Sequence, residues 1–327
     1  MDRLRIGTLG AARITPGALI KPARHVPEVT VTAVAARNPA RARQFAAKHG
    51  IGTVHDSYEA LIADPDVDAV YNPLPNSLHA PWTLRAIAAG KHVLCEKPFT
   101  SNEAEAAGVA DAAKGTRLVV MEAFHYRYHP LARRMREIVA GEFGEVEHVE
   151  ASLCMPLPRF SDIRYQFDLA GGATMDAGCY AINCIRLLGP AEPEVVSARA
   201  TLHNPVVDRA MVADFRFPGG ATGRIRASLW SGQVLRIGAR VIAERGEMRV
   251  LNYVAPQAFS LLTVRSGPST RWERIRGEAT YTYQLRAFAG AVLRGEPVVT
   301  TPEDAVANMR QIDDVYRAAG LPLRGTR

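Results

Sequence analysis

Apolar residues recur along the chain in two rhythms, and the change of rhythm divides it. In the first third, short runs that are apolar nearly throughout occupy residues 4–9, 29–36, 67–72, 91–98 and 117–123. Such runs suit strands of a parallel sheet, which are covered on both faces. Between them the spacing predicts helices from the turn after strand one to about Ala23, from Pro39 to about His49, over 58–63, from His79 to about Ala89 with Gly90 as its stop, and from the caps Ser101 and Asn102 to about Lys114. Strand and helix alternating at short spacing predict a doubly wound sheet.

After Phe124-His125-Tyr126-Arg127-Tyr128-His129-Pro130 the period becomes two, over longer stretches: 146–155, 195–203, 211–217, 221–229, 235–243, 248–252, 259–264 and 272–276. Pro218-Gly219-Gly220, Arg245-Gly246 and Gly267-Pro268 mark turns among them. This predicts a mostly antiparallel sheet with one covered face. Helices are expected over 130–140, 173–188, 283–293 and 302–319, the last with Thr301 as N-cap, Pro302 at its first position and Gly320 past its end. The expectation is an α/β Rossmann domain over 1–123, then an α+β domain with a large, mostly antiparallel open sheet over 124–327, its last helix able to pack back on the first domain.

Composition adds bounds. The 327 residues are 47% hydrophobic and 22% charged, as in an ordinary globular protein long enough for two cores. A net charge of +7 without a basic cluster does not signal nucleic-acid binding and suits an anionic cofactor. Cys95, Cys154, Cys179 and Cys184 show no C-x-x-C spacing, so neither a metal site nor a redox motif is expected. Free thiols, no apolar leader and no long apolar span point to a cytoplasmic protein without a membrane segment.

The chemistry centres on Glu96-Lys97-Pro98. Pro98 cannot continue a strand ladder, so Glu96 and Lys97 fall at the carboxyl end of a sheet strand, where open α/β sheets bind ligands. Of five lysines, Lys21, Lys48, Lys91, Lys97 and Lys114, only Lys97 takes such a place. Gly10-Ala11-Ala12-Arg13-Ile14-Thr15 lies between the first strand and a helix and reads as a degenerate G-x-G-x-x-G turn for a pyrophosphate; the plain alternative is a βα turn with no ligand. Strand two ends in Ala35-Ala36 where an NAD site carries a carboxylate, and Arg37 follows. A missing anion followed by a guanidinium suits the 2′-phosphate of NADP, although Arg37 also reads as a solvated loop residue. Leu74, Asn76 and His79, in the strand–loop–helix at 67–89, are candidates with Glu96 and Lys97 to hold the cofactor, although His79 is also open to a capping or packing role.

The second informative stretch runs from Gly171-Gly172 to Asn183. Asp176 and Tyr180, four apart, share one face of the expected helix, with Asn183 on the same side. A Tyr, an Asp and a Lys near a nicotinamide suit hydride chemistry on a hydroxyl; the plain alternative is a helix-terminal acid and a core tyrosine. Arg127 and His129, at the change of rhythm, are candidates for polar substrate or for bracing the domains.

Together, Gly10-Ala11-Ala12-Arg13-Ile14, Pro75-Asn76-Ser77-Leu78-His79, Glu96-Lys97-Pro98, Glu122-Ala123-Phe124, Tyr126-Arg127-Tyr128-His129-Pro130 and Met175-Asp176-Ala177-Gly178-Cys179-Tyr180 resemble the glucose–fructose oxidoreductase/inositol dehydrogenase (Gfo/Idh/MocA) family over nearly the whole chain. The resemblance is strongest to its NADP-dependent D-xylose dehydrogenase and dimeric dihydrodiol dehydrogenase branch. It implies a catalytic Lys97, a catalytic tyrosine at Tyr180, a pocket aspartate at Asp176, and an arginine near cofactor or substrate at Arg164. Asn183 stands where inositol-type members carry an aspartate, which argues against inositol. It also implies a dimer or tetramer through the second domain's sheet.

The expected function is NADP(H)-dependent hydride transfer at a hydroxyl or carbonyl of a pyranose sugar or cyclic diol. The alternatives are an NADPH-dependent ketosugar or anhydro-sugar reductase, and a non-catalytic NADP-sensing regulator.

Overall fold

The computed structural model describes residues 3–325 and resolves into two compact units. One holds the chain through His125 together with Tyr281–Val306; the other holds Tyr126–Thr280 together with the chain from Ala307 onward. The first division falls two residues from the expected one, but the first unit also takes a later segment. Its reasons are local: the Thr300 hydroxyl donates to the Glu122 carbonyl at 2.7 Å, and Arg294 pairs with Glu28 at 2.9 Å.

The first unit is built on a parallel sheet of β1 (Leu4–Leu9), β2 (Val29–Ala35), β3 (Thr53–His55), β4 (Ala69–Asn72), β5 (His92–Cys95) and β6 (Val120–Glu122), in the order β3-β2-β1-β4-β5-β6. Strand β3 was not expected: at three residues it is too short to show a rhythm. The order reverses between β1 and β4, and at that switch point the carboxyl ends of neighbouring strands diverge and leave a crevice. The expected strands at 91–98 and 117–123 shorten to their apolar centres. The helix expected after β1 is interrupted: Pro16–Ile20 form one wide turn before the short helix Lys21–Ala23, with prolines at 16 and 22.

The second unit carries an eight-stranded sheet of β7 (Val146–Cys154), β8 (Glu194–Asn204), β9 (Val207–Arg216), β10 (Thr222–Ser228), β11 (Arg236–Ala243), β12 (Gly246–Leu251), β13 (Leu261–Ser266) and β14 (Ser269–Glu273). The order is β14-β13-β12-β11-β7-β10-β9-β8, antiparallel except for the β7–β10 pair. The turn at Gly267 closes earlier than expected, so β14 spans Ser269–Glu273 rather than 272–276. Helix Cys179–Leu188, apolar on nearly every side, packs on β7 and β10. The other face of the sheet is the one that carries the row Leu261, Leu251, Gly238 and Ser152. It exposes Val212, Leu251, Leu261 and Trp272.

Candidate active site

The carboxyl rim of the parallel sheet collects the residues expected to hold a cofactor. Gly10 leaves β1 at φ +87°, a conformation that strains any L side chain, and a Cβ there would meet Leu74 Cδ2 at 3.3 Å. The turn is tied down by the Gly10 N–H donating to Ala35 O at 2.6 Å. Ala12 is half-buried, whereas Arg13 and Ile14 are exposed. Thr15 at its end is fully buried, and its hydroxyl has no hydrogen-bond partner among the described residues. Strand β2 ends in buried Ala35 and Ala36 with no carboxylate, and Arg37 is exposed. Asn38 caps the next helix, accepting from Arg41 N at 3.2 Å, and this turns Arg41 back to donate to Ala11 O at 3.2 Å. Arg41 is thus a second guanidinium beside the turn. The sequence reading missed it, although its place one turn after Arg37 was the available signal. A positive-φ glycine turn, an unsatisfied hydroxyl and two arginines without a competing carboxylate fit a dinucleotide bearing a 2′-phosphate.

Lys97 follows β5 half-buried, and the Lys97–Pro98 peptide is cis. Its surroundings in the first unit are buried and mostly uncharged. His79 is buried, with Nδ1 2.8 Å from Pro98 O and Nε2 2.7 Å from Leu74 O. Burial pushes its pKa down to about 4, and the charge of Lys97 also opposes protonation. A neutral ring donates to only one carbonyl at a time, so His79 ties down either the Leu74 loop or the segment after Lys97. His125 is buried under Tyr281, ring centroids 4.1 Å apart, and its pKa falls to about 3 through burial and then through Lys97. Glu96 turns inward and accepts from Tyr71 Oη at 2.6 Å, while burial and Glu96 hold that phenol protonated. Glu122 accepts from Phe99 N at 2.9 Å, which secures the chain past Pro98. Asn76 lies half-buried at the foot of the His79 helix. Sequence reasoning missed His125, Tyr71 and Tyr281, whose roles depend on distant partners.

In the second unit, Asp176 sits in a wide turn, Thr174–Gly178, that precedes helix Cys179–Leu188. This wider turn, closed by i→i+5 bonds, interrupts the continuous helix expected over 173–188. Arg164 holds Asp176 at 3.1 Å and Asp162 at 3.0 Å. Tyr180 is 5% exposed, with the Tyr126 ring 6.0 Å away. Asn183 is fully buried: it accepts from Tyr126 Oη at 2.7 Å and from Arg127 Nη1 at 3.3 Å and donates to Asn308 at 3.4 Å, which ties half-buried Arg127 to its helix. His129 caps the next helix, its Nδ1 accepting from Leu131 N at 3.1 Å, and burial pushes its pKa down to about 4.

Residues 4–124 match the oxidoreductase family with an NAD-binding Rossmann fold, and residues 132–249 match the GFO/IDH/MocA C-terminal domain. The chain belongs to the Gfo/Idh/MocA family. This Gfo/Idh/MocA chain is 38% identical to D-xylose 1-dehydrogenase (NADP(+)) 2 of Haloferax volcanii over 317 residues, 97% of either protein. It is 35% identical to trans-1,2-dihydrobenzene-1,2-diol dehydrogenase of Mus musculus over 209 residues, 62% of each. Among solved structures it is similar to a 3-ketoreductase from Actinomadura kijaniata in complex with NADP and TDP-benzene. The TM-score is 0.89 at 30% identity, covering 97% of this chain and 98% of that one. Among the described residues no helix is long and apolar enough to cross a membrane.

Proposed function

We propose that this chain is an NADP(H)-dependent oxidoreductase that exchanges a hydride at a hydroxyl-bearing carbon of a pyranose sugar or cyclic diol, with D-xylose-like aldoses the first substrates to try. The observation that carries this is the sheet rim: one lysine beside two neutral histidines, on the same edge as a turn and two arginines suited to NADP. When bound, the nicotinamide accepts or gives the hydride. The backbone of Gly10, Ala12, Arg13 and Ile14 holds the pyrophosphate, and Arg37 and Arg41 clasp the 2′-phosphate. Leu74 and Asn76 border the cofactor, while His79 and Glu96 fix the chain on either side of Lys97. Lys97, with Tyr180, takes the hydroxyl proton during oxidation and returns it during reduction. Asp176 orients the sugar hydroxyls, held by Arg164, and Arg127 adds a donor.

The test is spectrophotometric. The protein is mixed with NADP⁺ or NAD⁺ and a panel of aldoses and cyclic diols. NADPH formation with an aldose is expected, and silence across the panel would sink the reading. Likeness to a 3-ketoreductase favours a second reading, physiological reduction of a ketosugar, which NADPH consumption on ketosugars would reveal. Kinship with D-xylose dehydrogenase over nearly the full length favours turnover over silent NADP sensing. Four buried free thiols support a cytoplasmic location.

We also propose a homodimer through the open sheet face. Cross-strand partners share a face, so Trp272, Thr263, Arg249, Arg240 and Glu150 form one row, beside the row Leu261, Leu251, Gly238 and Ser152. Trp272 is 70% exposed, an unusual cost for a lone chain. Arg240, Arg249 and Arg265 all converge on Glu247. Sedimentation should give a two-chain particle that Trp272→Glu splits; a monomer before substitution would refute the dimer.

A further inference from the structure

The second unit contains a buried ion pair that the proposed chemistry does not use. Arg324 and Asp208 are 0% exposed and lie 3.0 Å apart. Two charges taken out of water contribute little net stability, and well-packed apolar residues often serve better. Geometry is what such a pair can enforce, and here it is unusually complete. Asp208 Oδ2 accepts from Thr174 N and Thr174 Oγ1, both at 2.7 Å, and Oδ1 accepts from Tyr316 Oη and Arg324 Nη2, both at 3.0 Å. Arg324 Nε donates to Gly171 O at 2.6 Å and Nη1 to Pro322 O at 2.8 Å. The guanidinium lies over the Tyr316 ring, 4.1 Å from its centroid.

These contacts converge on the turn that leads into Asp176. Gly172 has φ +141°, and a Cβ on it would fall 2.3 Å from Asp208 Oδ1 and 2.9 Å from Arg324 Nη2. The backbone therefore rests on the ion pair itself. From the same turn, Gly172 O accepts the Asp176 N–H at 3.0 Å. Gly171 N and Gly172 N donate to Gln166 O and Arg164 O at 2.9 and 2.8 Å. Arg164 in turn holds the Asp176 carboxylate. Both the backbone of Asp176 and its side-chain partner are thus referred to the two glycines that Arg324 pins.

We propose that Arg324 is a positioning residue for hydride transfer: with Asp208 it fixes the glycine turn that aims Asp176 at the substrate. The inference rests on the reading of Asp176 given above. Arg324 acts on Asp176 through the turn. Lysine at this position keeps the charge for Asp208 but cannot hold the Gly171 and Pro322 carbonyls with the same planar fork.

The experiment is a double-mutant cycle. Sugar turnover and NADP⁺ affinity are measured for wild type, Arg324→Lys, Arg324→Gln, Asp176→Asn and the Arg324/Asp176 doubles. A displacement of about 1 Å in an orienting group costs on the order of 100-fold. Arg324→Gln should therefore lower kcat/KM for sugar about 100-fold and Arg324→Lys about 10-fold, with NADP⁺ affinity unchanged. In the Asp176→Asn background the same Arg324 changes should cost less than about threefold, because residues acting through one another are not additive. Equal losses in both backgrounds, or full turnover by Arg324→Lys, would overturn the proposal. If Arg324→Gln does not fold, the lysine pair carries the cycle. Normal turnover by Asp176→Asn would instead remove the site reading, and this proposal with it; an impaired Asp176→Asn beside a normal Arg324→Lys would remove the proposal alone.

Discussion

The rim around Lys97 and the turn ahead of Tyr180 achieve order by opposite means. Around Lys97 the first unit packs His79, His125 and Tyr71, which burial keeps uncharged, and ties its carboxylate Glu96 to a phenol. Around Asp176 the second unit uses formal charge: Arg164 on the carboxylate, and Arg324 with Asp208 behind the backbone. The contrast matches the two proposed tasks. A group that moves a proton works best where few neighbours titrate near its working pH. A group that orients hydroxyls needs a fixed position, which bidentate and multiply bonded charges provide.

The strongest way to break this contrast is Lys97→Ala. Loss of a proton-transfer group should lower kcat about 1,000-fold with NADP⁺ affinity nearly unchanged. Steady-state kinetics and cofactor titration check it. A loss confined to KM would make the lysine a binding group and erase the distinction.

Acidification probes the neutral shell. The pKa of His79 is lowered to about 4 and that of His125 to about 3, so between pH 6.5 and those values the unfolded chain binds protons that the folded chain refuses. Stability is therefore complete above pH 6.5 and falls as the pH drops. The slope is roughly 1.4 kcal/mol per pH unit for each histidine, about 3 kcal/mol for the two. Denaturant melts across pH 6.5 to 5 measure this, and His125→Phe should make the slope shallower by about one proton. An unchanged slope would show that His125 is not held neutral.

The smallest effect sharpens the cofactor side. Arg41→Ala should weaken NADP⁺ about tenfold, the scale of one charge-assisted hydrogen bond, and leave NAD⁺ nearly unaffected. Equal weakening of both cofactors would place Arg41 on the pyrophosphate instead.

Much of this was legible in the chain. The apolar runs marked five of the six parallel strands, and the Glu-Lys-Pro break put Lys97 at the rim. The bare Ala35-Ala36 ending and Arg37 pointed to NADP. The second sheet was also visible, within a few residues at each strand end. Other features were not. The wide turn at Thr174–Gly178 has a helix-like pattern, and nothing local announces the extra residue in its bonding. Asn183 and His129 are polar residues near the expected pocket. Only their partners reveal that one supports Arg127 and the other caps a helix.

By itself the sequence determined the elements, the rim that carries the lysine and the cofactor it suits, because periodicity, turn residues and strand-ending prolines act over a few neighbouring positions. Only the tertiary structure decided which polar groups are consumed inside. Glu96 meets a tyrosine 25 residues away, and Arg324 meets Asp208 at a separation of 116 and Gly171 at 153. A buried polar group must find a partner, and which partner it finds is set by the three-dimensional path of the backbone, not by the residues beside it in the chain.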